Sequence, residues 1–557
     1  MQFLKIGIVL MKRYIISLML FSGISLSAQE KGKAEFVTPL NSPLILSGNF
    51  GELRANHFHG GLDFRTQGKT GLPVYSIADG YVSQIDVSIG SGYMLHVRHK
   101  NGYTSIYRHM LGFVHSIANY TEKYQYEHEL DEVSIDLPPD EFQVKAGEQI
   151  GWSGNEGYSF GPHLHMDLLD TESGDFVDPL QFYVNVIKDT KAPRAEGIML
   201  FPQKGKGVVN GKQTNQSFSP FGNRVIEAWG EIGAGIKAHD YMDDVLSHYG
   251  VHSVALYVDG KEICTSNMDH FSAYENRMIN SWAYAGYMKS FRDPGNKLRF
   301  LHTGDDRGVV VINEERDYKF LFVLKDVYGN TSRCEFKVRG RKQDIPAYTP
   351  KDKYILKWNE LNILKKPGVQ VIIPGGMVYQ DESVNFETFD TPGAISLDCQ
   401  LHNQALPLHA PCELQIGVRN MPVADKKKYY IAQKRGNRYS SVGGVFTNGY
   451  VCADIKELGT YTVKVDTIRP RIAPVGKSYW GKAGIVSFSI YDNETGIKYY
   501  KGKIDGKFAL FHLRLMNSRL SCRLDSRKVQ KGIQHTVELL LIDNCGNASV
   551  YRDSFKW

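Results

Sequence analysis

Gly161-Pro162-His163-Leu164-His165 is the stretch on which the reading of this chain turns. Polar and apolar residues alternate in it, and residues two apart on a β-strand share a face. His163 and His165 therefore point the same way, about 7 Å apart along the strand. That spacing lets one of them reach a given metal ion and leaves the other beside it. Upstream, Tyr93-Met94-Leu95-His96-Val97-Arg98-His99 alternates in the same manner. Asn101-Gly102 then turns the chain and Tyr103 to His109 returns, which is a hairpin pattern. Pro73 to Val82 reads as strand, Asp79-Gly80 turn and strand. Short strands with Gly-rich turns fill the region from Leu40 to about Val186.

Two further clusters belong with the opening stretch: His59-Gly60-Gly61-Leu62-Asp63 and Tyr107-Arg108-His109. A hydrolytic zinc site takes three N or O ligands and keeps one position open for water. His59 and Asp63 would lie about 13 Å apart on an extended strand, and Gly60-Gly61 is expected to supply the bend that joins them. His57 repeats the His-X-His spacing with His59 and is a rival ligand. His96 and His99 are expected to be structural, and His115 and His128 solvated.

In these motifs the chain resembles the lysostaphin-type, or LytM-domain, zinc metallopeptidases that cut peptidoglycan cross-links. The resemblance covers about residues 45 to 185. It runs through Phe50-Gly51, the cluster at 59–63, Gly71-Leu72-Pro73-Val74, Ala78-Asp79-Gly80 and His99-Lys100-Asn101-Gly102-Tyr103. It continues in Tyr107-Arg108-His109-Met110, Val144 to Gly151, 161–165 and Val177-Asp178-Pro179. It implies a compact antiparallel β domain with a groove. Carried over residue by residue, it implies His59, Asp63 and His165 as Zn2+ ligands. His109 and His163 become the catalytic pair that orients and deprotonates the attacking water and stabilises the oxyanion. No substrate-binding residue follows from it. The implied substrate is the stem peptides of peptidoglycan, with D-alanyl to diaminopimelate as the expected bond in a Gram-negative periplasm and a glycine bridge or a protein substrate as alternatives. A non-catalytic wall-binding or hydrolase-regulating protein using the same groove is the alternative.

The departure from the family pattern is an insertion at about 111–143, rich in acidic residues (Glu127, Glu129, Asp131, Glu132, Asp136, Asp140 and Glu141) and broken by Pro138-Pro139. It reads as a loop with room for a short helix. Its acidic run reads first as a solvated face and second as an inhibitory or calcium-binding flap over the cleft.

The chain is all-β and multidomain in expectation. At 557 residues it is too long for one core. Its 32 Tyr and 54 Gly favour strands and turns. Lys188-Asp189-Thr190-Lys191-Ala192-Pro193-Arg194 recurs as Asp466-Thr467-Ile468-Arg469-Pro470-Arg471, and Asp326-Val327-Tyr328-Gly329-Asn330 recurs as Asp543-Asn544-Cys545-Gly546-Asn547. Val258-Asp259-Gly260-Lys261 likewise returns as Ile504-Asp505-Gly506-Lys507. This is a weak internal repeat of two β-sandwich modules, and its polar phrases are read as turns. The expected division is a signal peptide over 1–28, the peptidase domain over 37–187, an Ig-like β-sandwich over 188–345, a β-rich module over 346–465 and a second Ig-like β-sandwich over 466–557.

Lys12-Arg13, the apolar run from Tyr14 to Leu26 and Ser27-Ala28 read as a secretory signal, with Met11 a more conventional start than Met1. No later stretch is apolar enough to span a membrane. Export is expected, into the periplasm of a Gram-negative bacterium, with envelope proteins as partners of the C-terminal modules. A net charge of +6 without a basic block interleaved with aromatics excludes a nucleic-acid binder. Seven Cys, all downstream of the histidine clusters and without a CxxC pair, exclude a thiolate zinc module. Cys399 and Cys412 are the closest pair in sequence, and most of the seven are expected to be small buried hydrophobes.

Overall fold

The computed structural model describes residues 35–222, 225–243 and 245–557. The expected signal peptide and the choice between Met1 and Met11 lie outside these residues. No helix in the described residues is long and apolar enough to cross a membrane.

Alternation of the kind seen at 161–165 builds the sheet that carries the histidines. Its strands are β1 (Leu46–Gly48), β2 (Gly61–Arg65), β3 (Gly80–Ser88), β4 (Gly92–His99), β5 (Tyr103–Met110), β6 (Val133–Asp136) and β7 (His163–Asp170). They lie in the order β1-β2-β7-β5-β4-β3-β6. On β7, Leu164, Met166 and Leu168 are buried in the core with Leu62 and Phe64 of β2. Burying each such side chain stabilises the fold by about 1.5–3 kcal/mol. The opposite face of β7 is left to His163, His165 and Asp167. The loop between β4 and β5 spans three residues, and Gly102 takes its left-handed position at φ 87°, as a three-residue hairpin loop requires.

Gly60 and Gly61 stand at the start of β2, against β7. Neither has a positive φ; what they provide is clearance. A Cβ on Gly61 would lie 2.2 Å from the Met166 carbonyl oxygen, and one on Gly60 would lie 3.0 Å from Asp167 Oδ1. Close approach of β2 to β7 sets Asp63 opposite His165.

The insertion contains the helix α1 (His115–His128) and the strand β6, which pairs with β3 and extends the sheet. Most of its acidic run is exposed, and three members have partners outside the insertion. Glu129 pairs with Lys501, and Asp131 accepts a hydrogen bond from the Phe511 backbone N–H at 2.9 Å. Glu132 accepts from the Ile89 backbone N–H at 2.8 Å, while Glu122 on α1 pairs with Lys528. Asp136, Asp140 and Glu141 remain exposed. Glu129 and Asp131 thus meet the last part of the chain, whereas Glu132 is held by its own domain. His128 stacks on Tyr124, and His115 bonds Asn119.

The rest of the described chain is β. The first module is built on two 16-residue strands, β9 (Arg194–Val209) and β10 (Ile226–Tyr241), within one twelve-stranded sheet. β8 (Phe176–Val177) pairs both with β7 and with β11 (His270–Phe271), so the first sheet continues into this module. Two five-stranded sheets enclose the middle core and two four-stranded sheets the last one. Asp259-Gly260 and Asp505-Gly506 have all four φ between 49° and 83°, as two-residue hairpin turns demand. The seven cysteines are unpaired, and six of them are buried.

Candidate metal centre

Asp63 and His165 sit directly opposite each other on β2 and β7. Residues paired in this way share a face of the sheet. His59 reaches them from the segment before β2. His165 Nδ1 lies 2.8 Å from Asp63 Oδ1, His59 Nε2 lies 3.2 Å from the same oxygen, and the two ring nitrogens are 3.1 Å apart. A tetrahedral ion with bonds of about 2.0–2.1 Å has ligand–ligand edges of about 3.3 Å, so the three donors are spaced to hold one. The second oxygen of Asp63 faces the Arg54 guanidinium at 3.5 Å, leaving Oδ1 for the centre.

Each imidazole has its tautomer set by the partner of its other nitrogen. His59 Nδ1–H donates to the Asn49 carbonyl at 2.7 Å. His165 Nε2–H donates to Asp167 Oδ1 at 2.6 Å, and Arg108 Nε holds the other Asp167 oxygen at 2.7 Å. That leaves His59 Nε2 and His165 Nδ1 to face the Asp63 oxygen.

His109 and His163 adjoin this trio. Their rings are 5.0 Å apart, His109 is 6.1 Å from the His165 ring, and His163 Nε2 is 3.6 Å from Asp63 Oδ1. Glu156 accepts at its carbonyl from His109 Nδ1–H at 2.8 Å, and the Gly161 carbonyl accepts from His163 Nδ1–H at 2.9 Å. Both Nε2 atoms remain available to a substrate. His109 itself has φ 59°, a left-handed conformation uncommon outside glycine and frequent at functional sites. It lies within a register shift between β4 and β5.

The electrostatics divide the rings. Burial, with His163 and His165 as neighbours, pushes His109 down to about 4. Burial would lower His165 as well, but the carboxylates of Asp167 and Asp63 raise it to about 9. Burial raises Asp63, yet His165 and His59 hold it far below the usual carboxylate range. A cation bound at His165 Nδ1 must displace a proton, so metal affinity falls with falling pH.

All five residues singled out in the sequence converge here. His57 does not: it is exposed and bonds the Ala55 carbonyl. His99 is buried between the Ala78 carbonyl and Ser105, and His96 pairs with Asp86. Asp167 escaped the sequence reading, although His163-X-His165-X-Asp167 simply continues the alternation by one step. Asp167→Asn should keep the fold and weaken metal binding by about 10–100-fold. Chelator competition measures this, and an unchanged affinity would show that Asp167 does not orient the ligand.

The first module also touches the centre. Asn49 exchanges two hydrogen bonds with the Gly250 backbone, at 2.8 and 3.0 Å. Phe50 and Phe58, flanking the His59 segment, pack on Phe271. On the other side Arg514 pairs with Glu156 at 2.9 Å, the residue whose carbonyl holds His109.

Residues 57–121 match the family model described as Peptidase family M23, and residues 353–466 match that of a Zu5-like domain. Among curated proteins, an uncharacterized metalloprotease of Buchnera aphidicola is 30% identical over 115 residues, covering 21% of this chain and 24% of its own. The DD-carboxypeptidase/endopeptidase Mpg of Neisseria meningitidis is 28% identical over 137 residues, a quarter (25%) of each chain. The chain thus spans about a quarter of the length of these curated relatives. Among solved structures, the catalytic domain of lysostaphin from Staphylococcus simulans aligns at 25% identity, covering 25% of this chain and 91% of that one, with a TM-score of 0.19. The chain carries a peptidase family M23 (LytM-type) domain.

Proposed function

We propose that the protein is an exported zinc endopeptidase that hydrolyses the peptide cross-links of peptidoglycan. In this reading residues 37–187 are the catalytic unit, and the modules over 188–345, 346–465 and 466–557 brace it and present it to the wall or to envelope partners. His59, Asp63 and His165 hold the metal. The observation that carries the reading is the trio of donor atoms 2.8 to 3.2 Å apart. Their oxygen-and-imidazole chemistry fits zinc.

A zinc ion held there would supply Lewis acidity for activating water and polarising a peptide carbonyl. The neutral His109 presents Nε2 as a proton acceptor for the attacking water. His163 presents Nε2 beside Asp63 and, when that nitrogen also carries a proton, can donate it to the developing oxyanion or the leaving amine. Asp167 fixes the His165 ring, and the Asn49 carbonyl fixes the His59 ring.

The Neisseria relative is named a DD-carboxypeptidase/endopeptidase. That name supports the bond from D-alanine to diaminopimelate in a Gram-negative periplasm as the target. Incubating the full chain with purified sacculi and reading the muropeptides by mass spectrometry tests this. Cross-linked dimers should disappear as monomers gain in matching amount. An unchanged profile with zinc-loaded protein would end the reading.

A further inference from the structure

A second constellation of acids stands in the first module, away from the histidines. Asp189, Asp240 and Asp326 each bring a carboxylate oxygen to within 4.8 Å of the other two. All three are buried, at 7%, 3% and 4% exposure. Asp326 is held at both oxygens by Asn330, from the backbone N–H at 2.8 Å and the side-chain amide at 2.7 Å. Asp189 Oδ1 accepts from the Lys191 backbone N–H at 2.9 Å. Asp189 Oδ2 and Asp240 Oδ1 are buried and have no hydrogen-bond partner. Among the described residues, no Lys or Arg side chain forms an ion pair with any of the three. Buried carboxylate oxygens facing one another without donors are strongly unfavourable unless a proton or a cation joins them.

The internal repeat supplies a control within the same molecule. Asp466, Asp492 and Asp543 form the matching cluster in the last module. Asn547 holds Asp543 at 2.8 and 2.7 Å as Asn330 holds Asp326. Its amide also reaches the Asp466 carbonyl at 3.0 Å, just as Asn330 reaches the Asp189 carbonyl at 3.2 Å. In this copy donors close the cluster. Thr495 Oγ1 donates to Asp466 Oδ2 at 2.7 Å, and the backbone N–H groups of Thr495 and Gly496 donate to Asp492 Oδ2 at 2.9 and 2.7 Å. The residue three beyond Asp240, where the last module has Thr495, is Asp243. It accepts from Thr190 at 3.0 Å and has no proton to give when ionised. One copy of the scaffold is filled by donors; the other adds an acid and leaves two oxygens bare.

We propose that Asp189, Asp240 and Asp326 bind a hard divalent cation, Ca2+, at the seam between the peptidase domain and the first module. An all-carboxylate donor set selects Ca2+ over the softer metals that imidazole attracts. The seam location follows from the neighbours. Asp189 lies two residues after Ile187, which is buried in the peptidase core. Tyr328, two residues after Asp326, donates to the Ile187 carbonyl at 2.7 Å. Asp240 stands near the end of β10. The ion would tie linker, strand and turn together, and so fix the module that holds Asn49 and, through it, His59.

Calorimetric titration of Ca2+ into the zinc-loaded full chain tests the proposal, with the unfolding temperature followed in parallel. Saturable binding is expected with Kd at or below about 1 mM, together with a rise in Tm. Asp240→Asn should lose both responses, and Asp492→Asn should keep them. Absence of heat and of any Tm shift in the wild-type chain would overturn the proposal, whatever the variants do. So would a Ca2+ response that survives in Asp240→Asn, or a response to Mg2+ alone.

Discussion

His165→Ala is expected to purify without bound metal and to release no peptide from sacculi, a loss of at least about 10³-fold, the scale of removing one preorganised electrostatic group. The substitution removes the Nδ1 atom that faces Asp63 at 2.8 Å and the Nε2–H that meets Asp167 at 2.6 Å. Two buried carboxylates lose a shared partner at once. Asp167 keeps Arg108 at 2.7 Å, and Asp63 keeps His59 at 3.2 Å and Arg54 at 3.5 Å, so neither is left without a compensating group. Breaking a buried pair still costs about 3–5 kcal/mol, and a lower Tm should accompany the lost metal. Metal analysis and near-UV circular dichroism on the same sample separate the two effects. A folded His165→Ala protein that still holds one zinc per chain would remove His165 from the ligand set.

The five residues at the centre of that prediction were legible in the sequence because strand alternation makes spacing into geometry. His163 and His165 share a face by period alone, and Asp63 joins them because β2 and β7 pair in register. What the sequence concealed falls into two kinds. Asp167 was hidden only because an Asp on a strand has many ordinary explanations. The carbonyls of Asn49, Glu156 and Gly161 were hidden in principle, since a backbone acceptor has no residue signature. The acidic insertion misled for a related reason. A run of acids looks the same whether it faces water or faces Lys501, and that partner is 372 residues from Glu129 in the chain.

Distant contacts also alter how the β modules are understood. Phe50 and Phe58 resemble any core aromatic in sequence, yet they are buried with residues of the first module and not with their own sheet. Asn49 is held by Gly250, and Glu156 is held by Arg514. Carbonyls of these two residues set the tautomers of His59 and His109. The first and last modules therefore brace opposite ends of one constellation. Preorganisation of this kind is what a site needs when its donors must be placed to within a fraction of an ångström.

His109→Ala separates metal binding from proton handling. The variant should retain its zinc while kcat falls by about 10²–10⁴-fold, the usual contribution of a positioned acid–base group, with KM little changed. The His109 ring stands 6.1 Å from that of His165, whereas His59, Asp63 and His165 are in mutual contact. Burial and its two histidine neighbours hold His109 near 4, so the ring is neutral at pH 7. With Nδ1–H committed to Glu156, the lone pair sits on Nε2 and can accept a proton; it is lost only as pH falls through the lowered value. Conformation completes the case. A left-handed φ of 59° at a non-glycine residue costs on the order of 1–3 kcal/mol, and alanine tolerates it no better than histidine. Stability should thus change little, and the kinetic loss can be read as chemistry. His109→Gln, which offers no comparable base, should be as slow as His109→Ala. Loss of zinc in either variant would instead make His109 a ligand and require one of the present trio to be displaced.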